Sequence, residues 1–349
     1  MDLKTEGFGR LKSGEQAGLY IIENSRGMQL HISDYGASVV RLIVPDGHGV
    51  LRDVVLGYDD VSGYEQGKCY FGAVIGRYAN RIGGASFELC GRRYELSAND
   101  GCNALHGGRD CYAHRLWEVS EISDDSICFA IESPDMDQGF PGALSVKVRY
   151  SLTNEGELHI DYMAESKSDF AVPINLTNHS YFNLNGHDSG SVLDQKVQIN
   201  ADRFTELAAD SVTTGELIDA AGTPMDFRTA KSIGRDIDAD YYQLVSAGGY
   251  DHNYVIAGDA GIRREAAIMY SDKSGIRMRV LTDMPGMQFY SGNYIDGERG
   301  KGGASYGRRS GVCFETQFWP DAVNKPGFPQ GMAEAGGLFE SRTTYVFET

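Results

Sequence analysis

The 349-residue sequence lacks the features that would direct a protein to a membrane or to nucleic acid. No apolar run approaches the ~20 residues that a membrane-spanning helix requires, and residues 1–10 mix charges with glycines, unlike a secretory signal. Basic residues are in the minority, 32 Lys and Arg against 49 Asp and Glu, which gives a formal net charge of −17. That balance argues against nucleic acid or an anionic membrane as a partner and suits a neutral ligand.

The cysteine patterns of zinc or disulfide sites are also missing. The six cysteines include no C-x-x-C pair, and no histidine lies at a spacing typical of zinc. Reduced and mostly buried thiols are the simpler interpretation. We therefore expect a protein of the cytoplasm that binds no metal, either a monomer or a homodimer.

Long helical patterns are scarce, and short alternating strands dominate. Residues 145–152 alternate, with Val146, Val148 and Tyr150 on one face, and the alternation resumes over residues 158–162 after an Asn-Glu-Gly turn. Two such runs around a glycine turn predict a β-hairpin. Other short strands are predicted within residues 27–45, 87–96, 117–132, 192–199, 266–272, 275–282 and 343–347.

Helices and domain boundaries are hard to find. Only residues 59–65 and 229–237 have a briefly helical pattern, and no repeat, charge block or proline-rich linker divides the chain. The 44 glycines are compatible with many turns. The sequence predicts an all-β fold, a large antiparallel β-sandwich, as a single domain over residues 1–349.

Several clusters of polar residues have no evident structural role. Together they supply a carboxylate, histidines, an arginine and amides, which are the groups that an acid/base site for a sugar requires. The clusters lie at residues 76–81, 105–108, 175–183, 250–253, 285–293 and 315–317.

Taken in order, these clusters resemble those of the aldose 1-epimerases, also called galactose mutarotases. The resemblance begins at Asp-Tyr-Gly-Ala (34–37), passes through every cluster and ends at Pro-Gly-Phe-Pro (326–329), so it covers nearly the whole chain. It implies the β-supersandwich of the mutarotases, with a concave sugar-binding cleft. It also implies an isomerase that interconverts the α and β anomers of free hexoses such as glucose and galactose.

Interconversion of anomers requires opening and reclosing the sugar ring. A base takes the proton of the C1 hydroxyl while an acid protonates the ring oxygen, so both must lie within hydrogen-bond reach of one C–O bond. Because no redox change occurs, we expect no cofactor.

Glu315 is the expected base. Residues 311–318 read as a strand, which places Cys313, Glu315 and Gln317 on one face. An exposed glutamate on an edge strand would fit the alternation equally well. The resemblance places the general base at the Glu of this Glu-Thr-Gln sequence.

His179 is the expected acid, because imidazole can both donate and accept a proton near neutral pH. Residue types alone leave a hydrogen-bonded structural histidine as the alternative. The resemblance implies that His179 protonates the ring oxygen, and function near pH 7 then requires an elevated pKa that Glu315 or Asp251 could supply. Strand alternation predicts one polar face made of Asn175, Thr177, His179, Tyr181 and Asn183.

The resemblance also implies residues that bind the sugar. Arg81, His106, Asp251 and Gln288 match binding or cleft-lining positions, and Asn80, next to Arg81, is also expected to bind the sugar. Tyr181 should share a face with His179 and pack against the sugar, with core packing as its alternative. By contrast, Arg77 is expected to be structural, and Tyr78 to point away from Arg81. A metal role for His106 with His114 or Cys111 has no recognised spacing.

Three other functions remain open at this stage. A glycoside hydrolase would pair two carboxylates, such as Glu315 and Asp251, at ~5 to 9.5 Å. A non-catalytic sugar-binding protein would not need both Glu315 and His179. A phosphorylated hexose would need a basic pocket.

Residues 296–303 are rich in glycine but do not match a phosphate-binding loop. We expect them to form a mobile segment at the rim of the cleft.

Overall fold

The computed structural model of the chain describes residues 3–349, in which strands predominate. The first strands in the chain are β1 (Leu3–Arg10), β2 (Gln16–Glu23), β3 (Gln29–Ser33), β4 (Ser38–Pro45), β5 (Leu51–Asp53), β6 (Val74–Ile75), β7 (Arg81–Ile82), β8 (Ser86–Leu89), β9 (Arg92–Glu95) and β10 (Ala104–Leu105). The next are β11 (Glu118–Ile122), β12 (Ser126–Ser133), β13 (Leu144–Leu152), β14 (Glu157–Ser166), β15 (Val172–Pro173), β16 (Thr177–Asn178), β17 (Tyr181–Phe182), β18 (Lys196–Ile199), β19 (Arg203–Leu207), β20 (Thr213–Asp219) and β21 (Lys231–Ser232). The last are β22 (Asp251–Val255), β23 (Arg264–Tyr270), β24 (Arg277–Thr282), β25 (Gly286–Tyr290), β26 (Glu298–Arg299), β27 (Ser305–Tyr306), β28 (Val312–Gln317), β29 (Met332–Ala333) and β30 (Leu338–Glu348).

The helices are short. The α-helices described are α1 (Val61–Gln66) and α2 (Tyr242–Ala247), and single 3₁₀ turns lie at Gly83–Ala85, Tyr112–His114, Ile233–Arg235, Lys301–Gly303 and Ala322–Asn324. Within residues 3–349, none of these helices has the length and apolar character needed to cross a membrane.

Three antiparallel sheets form the body of the molecule. One has the strand order β1-β2-β3-β4-β5, the second β11-β12-β13-β14-β30-β24-β23-β18-β21, and the third β17-β28-β25-β22-β19-β20. We call the second the nine-stranded sheet and the third the six-stranded sheet.

The nine-stranded and six-stranded sheets pack against each other through a shared apolar core. The ring of Tyr345 on β30 lies 4.9 Å from that of Phe182 on β17, and its hydroxyl donates to the carbonyl of Phe314 on β28. Because strand residues alternate between faces, Glu315, next to Phe314, points to the opposite face. The predicted all-β sandwich is confirmed, and the packing leaves one face of the six-stranded sheet for a site.

The clearest sequence pattern is also the most regular part of the fold. The predicted hairpin is β13 and β14, paired so that Val148 lies opposite Tyr162, with Gly156 in the turn at φ 93°. The predicted helix at 59–65 is α1, whose N-cap Asp60 accepts a hydrogen bond from the backbone of Ser62.

Two predictions of local structure are wrong. Residues 229–237 do not form one helix: Lys231 and Ser232 pair with β18, and the helical part is the single 3₁₀ turn Ile233–Arg235. Residues 175–183 are not one strand: Thr177–Asn178 pairs with β6 and Tyr181–Phe182 with β28, with a break at His179. The conformation of both segments depends on pairing with strands distant in sequence, and local alternation cannot identify those strands.

Candidate active site

A cavity of about 500 Å³ opens over the free face of the six-stranded sheet. Seven of the eight predicted site residues line it, and Gln288 does not. The lining residues are Gln66, Lys68, Cys69, Tyr70, Asn80, Arg81, Leu105, His106, His179, Tyr181, Asp251, Tyr290, Tyr294, Asp296, Glu298 and Glu315.

The strands supply one side of this cavity, which we call the floor: Tyr181, Asp251, Tyr290 and Glu315. Cross-strand register brings these side chains together, because Tyr181 pairs with Cys313, Cys313 with Tyr290, and Tyr290 with Asp251. Glu315 lies two residues beyond Cys313, on the same face.

Loops and the first residue of the short strand β7 supply the opposite side, which we call the wall: Tyr70, Asn80, Arg81 and His106. Tyr70, Asn80 and His106 have left-handed backbones, with φ of 54°, 63° and 55°. Two loops meet here, since the amide of His106 donates to the carbonyl of Asn80 over 3.0 Å. Gly107 permits this approach: at φ 95°, a Cβ would lie 2.3 Å from the carbonyl oxygen of Gly76.

The wall fixes the protonation of His106. Burial lowers its pKa well below the usual range, and the neighbouring His179 and Arg81 act in the same direction. Nδ1 of the neutral ring accepts a hydrogen bond from the backbone N–H of Asn80 over 3.2 Å. The ring proton therefore sits on Nε2, so His106 is a neutral hydrogen-bond donor.

Glu315 and His179 form a close, buried pair. Nε2 of His179 lies 3.7 Å from Oε1 of Glu315, and the two residues are only 4% and 2% exposed. Oε2 of Glu315 has no hydrogen-bond partner within residues 3–349. On its other side, Nδ1 of His179 lies 3.5 Å from Sγ of Cys313.

The pKa values of this pair do not follow the sequence-based expectation. Burial raises the pKa of Glu315 well above its usual range; Asp251 adds to this rise and Arg81 opposes it. Burial lowers the pKa of His179 to about 4, so the expected elevation is wrong. The physical reason is that loss of solvation disfavours the imidazolium.

Burial raises the pKa of Glu315 and lowers the pKa of His179, so it favours a pair that holds one proton and no net separated charge. When two ionisable groups interact this closely, their titration steps describe the pair and neither residue alone. The proton rests on Glu315 in the more stable form, and transfer to His179 gives an ion pair with the same total charge. The two forms of the pair therefore interconvert without gaining or losing a proton.

Arg81 and Asp251 place opposite charges beside this pair. Nε of Arg81 donates to Asp100 over 2.7 Å, and its positive charge opposes the rise in the pKa of Asp251 that burial causes. Asp251 accepts a hydrogen bond from Nε2 of Gln288 over 2.7 Å. Gln288 thus acts on the cavity through Asp251.

Two neighbours of Arg81 behave as predicted. The guanidinium of Arg77 is buried and donates to the backbone carbonyls of Pro141, Gly142 and Pro173, which is a structural role. Tyr78 is buried away from the cavity, in an apolar cluster with Phe140.

Aromatic rings surround the two histidines. The Tyr181 ring stacks on His179 with centroids 5.0 Å apart, and Tyr70 contacts both His106 at 5.1 Å and His179 at 5.9 Å. No motif points to Tyr70, so the sequence-based prediction missed it. Tyr290, also missed, could have been found, because it lies two residues after Gln288 on one predicted strand and so shares its face.

The glycine-rich segment 296–303 reaches the rim, as predicted, because Asp296 and Glu298 line the cavity. Lys301 anchors the segment: its buried Nζ donates to Asp53 over 2.6 Å and to the carbonyls of Val40 and Val55, each over 2.7 Å. The mobility of this segment stays a prediction.

Three side chains could in principle hold a metal ion, since ligand atoms of His106, His179 and Glu315 lie within 4.8 Å of one another. Coordination through Nε2 of His106 would move its ring proton to Nδ1, where the N–H of Asn80 already donates. Two donors would then face each other, so this cluster suits proton transfer better than a metal. Cys111 and His114, the partners of His106 considered from sequence, lie 3.8 Å apart (Sγ to Nδ1), and neither lines the cavity.

Comparison with known proteins adds an independent line of evidence. The profile of the family described as Aldose 1-epimerase matches residues 18–346. The chain is 40% identical to galactose mutarotase of Bos taurus over 92% of this chain and 91% of that protein. It is 35% identical to aldose 1-epimerase of Escherichia coli, with 96% of each covered. The chain belongs to the aldose 1-epimerase family.

The fold of this epimerase family member agrees with solved structures. A GalM/aldose epimerase homologue from C. elegans superposes with a TM-score of 0.88 at 28% identity, covering 95% of this chain and 99% of that one. Galactose 1-epimerase from Lactobacillus acidophilus gives a TM-score of 0.85 at 25% identity, covering 99% and 98%. The family resemblance predicted from the polar clusters is confirmed, whereas the roles of individual residues stay predictions.

Proposed function

We propose that this epimerase family member interconverts the α and β anomers of free hexoses such as glucose and galactose. The observation that carries the proposal is the buried pair of Glu315 and His179, with 3.7 Å between Oε1 and Nε2, in a cavity of about 500 Å³. Relatives named galactose mutarotase and aldose 1-epimerase, at 35–40% identity, support the same reaction.

Glu315 acts as the base and His179 as the acid. Glu315 removes the C1 hydroxyl proton while His179 protonates the ring oxygen, so the ring opens to the aldehyde. Rotation about C1–C2 presents the other face of the aldehyde. The two residues then return their protons in the reverse direction, and the ring closes as the opposite anomer.

The electrostatics of the pair support this cycle. Ring opening begins from the ion pair and ends with a protonated Glu315 and a neutral His179, the form that burial favours. Reclosure regenerates the ion pair. Because both states hold one proton between the two residues, the cycle needs no proton from solvent and no cofactor.

The remaining residues bind and orient the sugar. His106 donates from Nε2, Arg81 and Asn80 add donors from the wall, and Asp251 accepts from hydroxyl groups. Tyr181 presents an aromatic face beside His179. Gln288 contributes indirectly by holding Asp251.

Two broader predictions accompany this function. A single domain over residues 1–349 stays a prediction. A cytoplasmic location also stays one, and the six free cysteines support it, because oxidising compartments favour disulfides.

Polarimetry on freshly dissolved α-glucose and α-galactose tests the proposal. We expect catalysed rotation change with both sugars, unaffected by prior dialysis against a chelator. A protein that leaves both rates at the spontaneous value would contradict the proposal. Release of nitrophenol from nitrophenyl hexosides without any mutarotation would indicate a glycoside hydrolase instead, and saturable sugar binding without either reaction a binding protein.

A further inference from the structure

A row of buried amides continues from Asp251 into the sheet, away from the cavity. Gln288, Asn253 and Gln317 are 3%, 1% and 0% exposed. Nε2 of Gln288 donates to Asp251 over 2.7 Å, and Nε2 of Gln317 lies 3.4 Å from Oε1 of Gln288 and 3.3 Å from Oδ1 of Asn253. Gln317 therefore reaches the sugar-binding carboxylate through a single intermediate, Gln288.

The direction of this row follows from donor and acceptor chemistry. An ionised carboxylate only accepts hydrogen bonds, so Gln288 must turn its NH₂ group towards Asp251 and its carbonyl away. Rotating that amide by half a turn would set a carbonyl oxygen against the carboxylate. Nε2 of Gln317 is placed to stabilise the productive orientation, because it donates to the Gln288 carbonyl.

The row has one unfavourable feature and one packing requirement. Oε1 of Gln317 and Nδ2 of Asn253 are buried without a hydrogen-bond partner within the described residues 3–349, which is unfavourable for folding. Gly286, opposite Gln317 on β25, makes room for the arrangement: a Cβ there would lie 2.5 Å from Oδ1 of Asn253.

We propose that Gln317 is a positioning residue for the sugar, which acts through Gln288 to keep Asp251 oriented as a hydrogen-bond acceptor in the cavity. The proposal rests on the proposed function and deepens it. It separates two roles on one strand, since Glu315 exchanges protons while Gln317, two residues on, supports binding.

The test replaces Gln317 with methionine, which keeps the length of the side chain and removes the donor. We expect KM for galactose and glucose to rise roughly 5- to 20-fold, the effect of one lost hydrogen bond, with kcat changed by less than about threefold. Gln195→Met is the matched control, because Gln195 is a fully buried, hydrogen-bonded amide outside the cavity lining. The control should lower thermal stability and leave KM unchanged.

A double-mutant cycle with Gln288→Met shows whether Gln317 acts through Gln288. If it does, the two substitutions together raise KM no more than Gln288→Met alone. Multiplicative effects, or a loss of kcat and stability with KM unchanged, would overturn the proposal. If the methionine variant does not fold, Gln317→Asn takes its place in the same test, because its shorter amide cannot reach Gln288.

One readout does not depend on catalysis. In Gln317→Met, Gln288 should no longer be held in the orientation that donates to Asp251, so the pKa of the Asp251 carboxyl should rise. NMR titration follows that pKa, and Gln195→Met should leave it unchanged. An inactive wild type would contradict the proposed function alone, since the titration still tests the amide row. An unchanged Asp251 pKa would overturn the role of Gln317 even in an active enzyme.

Discussion

The floor and the wall of the cavity are built in opposite ways. The floor residues Asp251, Tyr290 and Glu315 sit on long-range antiparallel strands, where register fixes which side chains are neighbours. The wall residues Asn80 and His106 sit on loops with left-handed backbones. The comparison teaches that strand register fixes the neighbours of the floor carboxylates, whereas the wall side chains are positioned by left-handed loop backbones.

The largest effect should come from the floor. Glu315→Gln keeps the shape of the side chain and removes its basicity, so we expect the mutarotation rate to fall by roughly 10² to 10⁴ while hexose still binds. Initial rates by polarimetry and hexose binding by calorimetry measure the two parts. Glu132→Gln, on the nine-stranded sheet, is the control and should keep full activity. A Glu315→Gln mutarotation rate within a few-fold of the wild-type rate would show that Glu315 is not the base.

A wall histidine should behave differently from the floor carboxylate. His106→Ala removes a neutral donor, so kcat/KM should fall roughly tenfold, with KM rising at least as strongly as kcat falls. Steady-state kinetics with galactose separate the two parameters. A fall confined to kcat would mean that His106 is the acid and His179 the binding residue, the reverse of the roles proposed above.

The smallest effect concerns the strain of the wall. Asn80→Val puts a β-branched residue at φ 63°, whereas Asn80→Gly accepts that backbone without strain. We expect the valine variant to lose about 1–3 kcal/mol of unfolding free energy relative to the glycine variant. Urea denaturation measures the difference. Equal stabilities would show that the left-handed backbone at Asn80 is not a constraint, and the contrast between floor and wall would weaken.

The floor was the more predictable side. Alternation over residues 311–318 placed Glu315 and Gln317 on one face, and the strands confirm it. The same reasoning failed at residues 175–183, because pairing with both β6 and β28 breaks the strand at His179.

The wall could be predicted only through the family resemblance. No local sequence pattern predicts that Tyr70 contacts His106 and His179, because these contacts depend on how two loops meet. The protonation of His179 was beyond the sequence for a related reason. Its pKa is set by how completely the fold buries it, and the neighbouring carboxylate that suggested an elevation is itself buried.

The pH dependence of kcat/KM tests most directly the claim that Glu315 and His179 share one catalytic proton. In the wild type, activity should rise as the doubly protonated pair loses a proton near the His179 pKa of about 4, and fall as the last proton leaves Glu315 at its raised pKa. His179→Gln leaves only the base, so its residual activity should increase with pH through the raised Glu315 pKa and show no alkaline fall. A His179→Gln profile that keeps both limbs of the wild-type curve would contradict the account, because the ring oxygen would then receive its proton from another group.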